Sequence, residues 1–304
     1  MGSIVVGVDE SAGAAEALRW AAREGELRGW AVTAVMCWGY LDQHHGTRPH
    51  VFEAGYTAVD AQAAARMIVM RVLGEGGAAI ERRTVNDVPA RGLLDASVGA
   101  DLLVLGARGL GPFRALLLGS VSQHCLHQAT VPVAIVRATP ERHTGRPRVV
   151  VGVDGSVTAQ RALKWAVEEA RVRHAVLEVV HAWNPPALAA PTVGLDETVF
   201  DDAAQAIVAE ALDQVDTSGL PDPVRRVIKP GTGAQVLVEQ AADADLVVVG
   251  SRGLGGFKGL LLGSVSQQVA HHAACPVVVL PHEDADRRRT DASGTFVPVR
   301  SGDH

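Results

Sequence analysis

The sequence predicts an α/β protein built from two tandem open five-stranded parallel sheets with helices on both faces. Three observations lead there. Short runs rich in Val, Ile and Leu alternate with helical patterns along the chain, as expected for parallel strands covered on both sides. The chain also repeats itself. "IVVGVDES" (4–11) returns as "VVVGVDGS" (149–156), "EALRWAARE" (16–24) as "RALKWAVEE" (161–169), and "VPVAIV" (131–136) as "CPVVVL" (275–280). The copies align with almost no gap, the mark of a tandem duplication. Finally, 304 residues suit about two domains.

The elements follow in order. Val5–Val8 is a short buried strand. Ser11 is a good N-cap for the next helix, and Gly29 a C-terminal stop. "AVTAVMCW" (31–38) is strand two. A long loop, 39–57, leads into an Ala-rich helix through Leu73. "AAIERRTV" (78–85) is strand three, "PARGLLDASVGA" (89–100) a helix, and "DLLVLG" (101–106) strand four. "GSVSQHCLHQA" (119–129) is a helix, and 131–136 is strand five. The second half repeats the plan, with 181–202 as its long loop and entry to a helix. The domains expected are 1–138 and 148–281, joined by a polar linker at 139–147. The charged tail 282–304 lacks periodicity and is expected to be disordered.

Composition narrows the function. Hydrophobic residues make up 47% and aromatics 4%, enough for buried cores, and the formal net charge of −6 disfavours nucleic acid as a partner. Cys37, Cys125 and Cys275 are isolated, with no CxxC pair, so neither a disulfide framework nor a zinc site is expected. They read as small buried hydrophobes in a reducing compartment. No basic stretch precedes an apolar run, and no 18-residue apolar span occurs, so neither a signal peptide nor a membrane partner is expected. A cytoplasmic location follows.

Chemistry concentrates after strands one and four. Gly7 and Asp9 end the first strand, matched by Gly152 and Asp154. After strand four the spacing is G-x2-G-x9-G-S: Gly106, Gly109, Gly119 and Ser120, then Gly250, Gly253, Gly263 and Ser264. Glycine lets backbone N–H groups approach a ligand without Cβ interference. Ser120 and Ser264 open helices whose N-terminal N–H groups and positive dipole end suit a phosphate. No Asp or Glu occurs from Leu102 to Pro140 or from Leu246 to His282. The charged residues there are cationic: Arg108, Arg114 and Arg137 in one stretch, Arg252 and Lys258 in the other. The pattern is neither a Walker A loop nor a dinucleotide fingerprint.

These residues resemble the universal stress protein family in its tandem two-domain form, over 4–137 and 148–280. The resemblance implies strand order 3-2-1-4-5 in each half, which puts the reversal between strands one and four. It implies ATP as ligand, with or without Mg²⁺. Asp9 and Asp154 would hold the nucleoside, and the backbone near Cys37 and Ala182 would meet the adenine edge. Gly106, Ala107, Arg108, Gly109, Leu110, Gly111 and Pro112 would wrap ribose and phosphates, as would Gly250, Ser251, Arg252, Gly253, Leu254, Gly255 and Gly256. Ser120, Val121 and Ser122 would bind phosphates, and so would Ser264, Val265 and Ser266. The apolar strand-five edges would pair within one chain as a pseudo-dimer, with a homodimer of whole chains also open.

The function expected is an ATP-binding stress-response regulator with one adenine-nucleotide site per domain. Two alternatives stand beside it. One is a slow ATPase or phosphotransferase, for which His124, His127, His271 and His272 lie near the phosphate motifs. The other is a nucleotide-independent interaction module. No catalytic residue and no metal ligand is assigned.

Overall fold

The computed structural model of the chain describes residues 2–39, 56–109, 118–137, 145–184, 197–254 and 262–282. Part of the linker, nearly all of the tail and much of both long loops lie outside them.

In the first half the chain forms β1 (Ser3–Gly7), α1 (Ala12–Arg28), β2 (Ala31–Trp38), α2 (Ala58–Leu73), β3 (Glu81–Asn86), α3 (Pro89–Ala96), β4 (Leu102–Gly106), α4 (Ser120–Gln128) and β5 (Val133–Val136). The second half repeats this with β6 (Arg148–Gly152), α5 (Val157–Val172), β7 (Val176–Trp183), α6 (Glu197–Asp213), β8 (Arg225–Pro230), α7 (Gly233–Ala241), β9 (Leu246–Gly250), α8 (Ser264–His272) and β10 (Val277–Leu280). Local chemistry sets the ends. Ser11 accepts a hydrogen bond from Ala14 N at 3.0 Å, and Gly29 closes α1 at φ 64°, a left-handed value that glycine takes at little cost. Thr57 and Asp60 form a capping box at α2.

Some boundaries differ from expectation. Strand three begins at Glu81 because Gly74–Ala79 wind into a 3₁₀ segment first. The helix after it ends at Ala96, where Ser97 Oγ turns back onto Leu94 O at 2.8 Å. His181–Trp183 extend β7 rather than opening the loop.

The two five-stranded parallel runs expected from the sequence join into one sheet of ten strands, in order β3-β2-β1-β4-β5-β10-β9-β6-β7-β8. Each half keeps the order 3-2-1-4-5 with parallel pairing. The halves meet antiparallel at β5 and β10, with Val277 opposite Ile135 and Val279 opposite Val133. Two bare apolar edges satisfy each other there, because an unpaired edge leaves a row of unmet N–H and C=O groups. The strand-five pairing expected from the sequence is therefore present within the chain. The remaining outer strands, β3 and β8, expose Arg82 and Arg83, and Arg225, Arg226 and Lys229, charges that discourage further pairing.

Two apolar layers cover the sheet. One runs across both halves beneath α1, α2, α5 and α6. The other lies beneath α3, α4, α7 and α8. Helices of the same rank thus share a face, and the pseudo-two-fold axis stands normal to the sheet.

Over the seam, α1 and α5 meet through a ring of four charges that the sequence reading missed. Arg28 donates to Glu24 and to Glu169; Arg173 donates to Glu169 and to Glu24. Both glutamates are fully buried. The Arg28 guanidinium also lies over Trp30 and Trp165, at 4.6 and 5.0 Å from the ring centroids, and Arg173 over Trp20 at 5.6 Å.

Removing one member leaves buried charge uncompensated, which costs about 3–5 kcal/mol. Glu24→Ala is therefore expected to lower the urea midpoint sharply. Replacing all four charges by Leu or Met is expected to restore much or all of that loss, because well-packed apolar residues often match a buried ion network.

Candidate nucleotide-binding crevices

β1 and β4 are neighbours, with Ile4 opposite Leu102 and Val6 opposite Val104. Their following helices leave to opposite faces, α1 to one and α4 to the other. A crevice opens where two such connections diverge beyond the carboxyl ends of the strands. β6 and β9 repeat the arrangement with α5 and α8.

The structure brings the two sequence-predicted segments together at each crevice. In the first half Asp9 Oδ1 accepts from Ser11 N at 2.8 Å. Ser11 Oγ reaches Arg108 O at 3.4 Å, linking the strand-one turn to the strand-four loop. Gly106 is required by close approach: a Cβ there would fall 2.5 Å from the carbonyl carbon of Gly13 on α1. Gly119 N donates to Ala107 O at 2.7 Å, folding the loop back to its start. In the second half Asp154 Oδ1 accepts from Ser156 N at 3.0 Å, and Asp154 Oδ2 from Leu254 N at 3.0 Å. Gly263 N donates to Ser251 O at 2.7 Å.

The α4 and α8 N-termini lack a side-chain cap, as does α3, where Val88 precedes Pro89 at the first helical position. Ser11, Thr57, Ser156 and Thr232 each cap their helix with a side-chain oxygen. Gly119 and Gly263 cap α4 and α8 with no side chain at all. Their backbone is ordinary and extended, at φ −72° and −81°. Among the described residues, a Cβ at 119 would meet nothing nearer than Ala107 O at 3.5 Å; at 263 the nearest described atom is Ser251 O at 3.3 Å. Ser120, Ser264 and Val265 are exposed, and Val121 is half-buried.

Other predicted residues sit differently. Ser122 and Ser266 are buried, and their hydroxyls already donate to backbone carbonyls: Ser122 to Gly106 O at 2.7 Å, Ser266 to Ser251 O and Gly263 O at 2.9 Å each. Their side chains hold the loop; toward a ligand they offer backbone alone. Gly7 and Gly152 serve packing, because a Cβ would come within 3.0 Å of Leu93 and Leu105, and within 2.8 Å of Leu237, respectively. Arg137 leaves the first crevice for the second half. Its guanidinium donates to Ala270 O at 2.5 Å, His271 O at 2.9 Å and Ala273 O at 3.3 Å, at the negative end of α8. Arg108 and Gly109 are exposed on the loop and Ala107 is buried beneath it. Arg252 is half-buried, and its Nε, like Ser251 Oγ, finds no partner among the described residues. Leu110, Gly111, Pro112, Arg114, Gly255, Gly256 and Lys258 lie outside the described residues.

Cys37 turns toward α3, where Sγ reaches Pro89 O at 3.7 Å. Burial, helped by Asp87, pushes its thiol up to about 12. Burial does the same to Cys125 and Cys275. Ala182 packs on the same side of the sheet in the second half. Sequence reasoning missed the aromatic pairs beside these strand ends. Trp38 lies against Tyr56 with centroids 5.9 Å apart, and Trp183 stacks on Phe200 at 5.6 Å. A Trp at matched positions of both copies was the available signal. Two helix histidines are held toward their neutral forms, His127 by burial and the neighbouring His124, and His271 by burial, His272 and Arg137.

Comparison with known proteins now adds to this geometry. The model of the universal stress protein family matches residues 1–137 and again 145–281. The chain belongs to the universal stress protein family. A universal stress protein of Mycolicibacterium smegmatis is 36% identical over 293 residues, spanning 91% of this chain and 96% of the relative. A universal stress protein of Archaeoglobus fulgidus shares the fold over 92% of this chain and 98% of its own, with a TM-score of 0.61 at 21% identity. A universal stress protein solved in complex with cAMP is 31% identical and covers 44% of this chain and 95% of its own, with a TM-score of 0.33. Among the described residues of this universal stress protein, no helix is long and apolar enough to cross a membrane.

Two outcomes are expected. Thiol reagents at pH 8 should label the native chain far more slowly than free cysteine, and labelling should become rapid on unfolding, because the thiolate is the reactive form. Gly106→Ala should lower the melting temperature, since its Cβ overpacks against the α1 backbone at a cost of about 1–3 kcal/mol.

Proposed function

We propose that this tandem universal stress protein binds one ATP in each half and acts as a cytoplasmic, nucleotide-responsive regulator rather than as an enzyme. The bare glycine caps of α4 and α8 carry the reading. A helix N-terminus has N–H groups without intrahelical partners. Four other helices satisfy one of theirs with a Ser or Thr side chain. The α3 helix begins with Pro89, which has no N–H to satisfy. By contrast, α4 and α8 have glycine at the cap and a serine N–H at the first position, open to something from outside. Neither backbone strain nor any described neighbour accounts for Gly119. An anion does, because free N–H groups and the positive dipole end favour it.

The surrounding chemistry fits an adenylate. Asp9 and Asp154 follow β1 and β6 and stand against Gly109 and Gly253 of the loops after β4 and β9; in this reading their carboxylates accept from ribose hydroxyls. The aromatic pairs stand beside the strand-two ends, suited to border a base. The strand-four stretches carry no acid of their own, so a polyphosphate meets no like charge there. Among the described residues no group of three or more His, Cys, Asp or Glu is placed to hold a metal. In this reading any Mg²⁺ arrives on the phosphates. Phosphoryl transfer needs a metal-holding acid and a group that orients the nucleophile, and the described parts of the phosphate loops supply neither. Several N–H bonds to charged oxygens, at about 1.5–3 kcal/mol each before ordering costs, make micromolar affinity reachable.

Whole chains need not dimerise through strand five in this reading, since β5 and β10 each have both neighbours within the chain.

Calorimetry with ATP should give two molecules bound per chain. Gly119→Val should reduce this to one, with the ligand-free melting temperature measured alongside to separate loss of the site from loss of the fold. No binding by the wild-type chain, or a stoichiometry of two in the variant, would overturn the assignment.

A further inference from the structure

We infer that the two sites are not equivalent: the second phosphate loop is latched shut by Thr158, which stands where the first half has Gly13. The inference rests on the nucleotide reading above and goes beyond it. Thr158 and Gly13 are both the second residue of their helices, α5 and α1. In the first half a Cβ at position 13 would fall 2.1 Å from Arg108 O. The loop there occupies the space that a side chain would take. In the second half Thr158 fills that space. It is buried, and its hydroxyl donates to Arg252 O. Ser156 Oγ reaches the same carbonyl at 3.5 Å and Thr158 Oγ1 at 3.2 Å.

The latch continues to the aspartate. Leu254 N donates to Asp154 Oδ2 at 3.0 Å. A Cβ on Gly253 would lie 2.3 Å from that oxygen, whereas a Cβ on Gly109 would lie 3.1 Å from Asp9 Oδ2. The second aspartate therefore stands closer to its own loop; Leu110, the first-half counterpart of Leu254, lies outside the described residues. In the second half the loop must lift against the Thr158 hydrogen bond in addition to the Ser156 contact, which Ser11 matches in the first half at 3.4 Å. The first half has no hydroxyl at position 13 to resist. The first site should bind ATP more tightly and load first. The Thr158 hydrogen bond, lost on opening, sets the gap at about two- to ten-fold.

Calorimetry of the full chain with ATP should resolve two steps separated by that factor. Asp9→Ala should remove the tighter step and Asp154→Ala the weaker one. Thr158→Val keeps the side-chain shape and removes the hydroxyl. It should tighten the weaker step several-fold, both alone and combined with Asp9→Ala. Two steps of equal affinity, or a weaker step that Thr158→Val leaves unchanged or weakens further, would overturn the inference while leaving nucleotide binding intact. Absence of binding at either site would remove the nucleotide reading and this inference with it. Should Asp9→Ala lower the melting temperature, the Thr158→Val comparison in the otherwise wild-type chain decides alone.

Discussion

The architecture turns on two four-residue apolar strands that cannot be left bare. β5 and β10 lie at the ends of their own five-stranded runs, and their outward N–H and C=O groups need partners. Pairing them with each other costs little in this chain. The linker makes their encounter intramolecular, which gives a high effective concentration. From that pairing come the ten-stranded sheet, the apolar layers that run unbroken over both halves, and the meeting of α1 with α5. The charge ring then sits where helices of equal rank cross the axis. Such a ring rewards one register, because each arginine must reach a glutamate from each half.

Much of this was legible in the residues. The duplication, the strand and helix sequence, and the caps at Ser11 and Gly29 could all be read from pattern and turn chemistry. The resemblance supplied the strand order. The ring could not be read, because Glu24, Arg28, Glu169 and Arg173 look like solvated helix charges until the topology brings two helices together. Boundaries slipped where short-range conformation outweighed pattern, as at Gly74–Ala79, where a 3₁₀ segment takes the expected start of strand three.

The crevices were legible in outline and misread in detail. Gly7 and Gly152 looked like ligand-facing residues, yet their missing side chains make room for leucines. Ser122 and Ser266 have the right chemistry for phosphate and spend it on the loop. Arg137 reads as part of a cationic stretch and instead caps a helix in the other half. In each case the sequence shows what a residue can do, and packing decides what it does. Thr158 and Gly13 show the converse: one difference in otherwise matched motifs becomes informative only when the loop beside it is seen.

The antiparallel seam has a geometric consequence for whatever reads this molecule. Strand directions reverse across it, so the carboxyl ends of the two halves point to opposite rims of the sheet. Under the proposed nucleotide reading, a protein that grips one rim meets the site of one lobe and not that of the other. A single compact reader therefore reports a binary state. Registering both occupancies together takes two readers, or one long enough to bridge the slab.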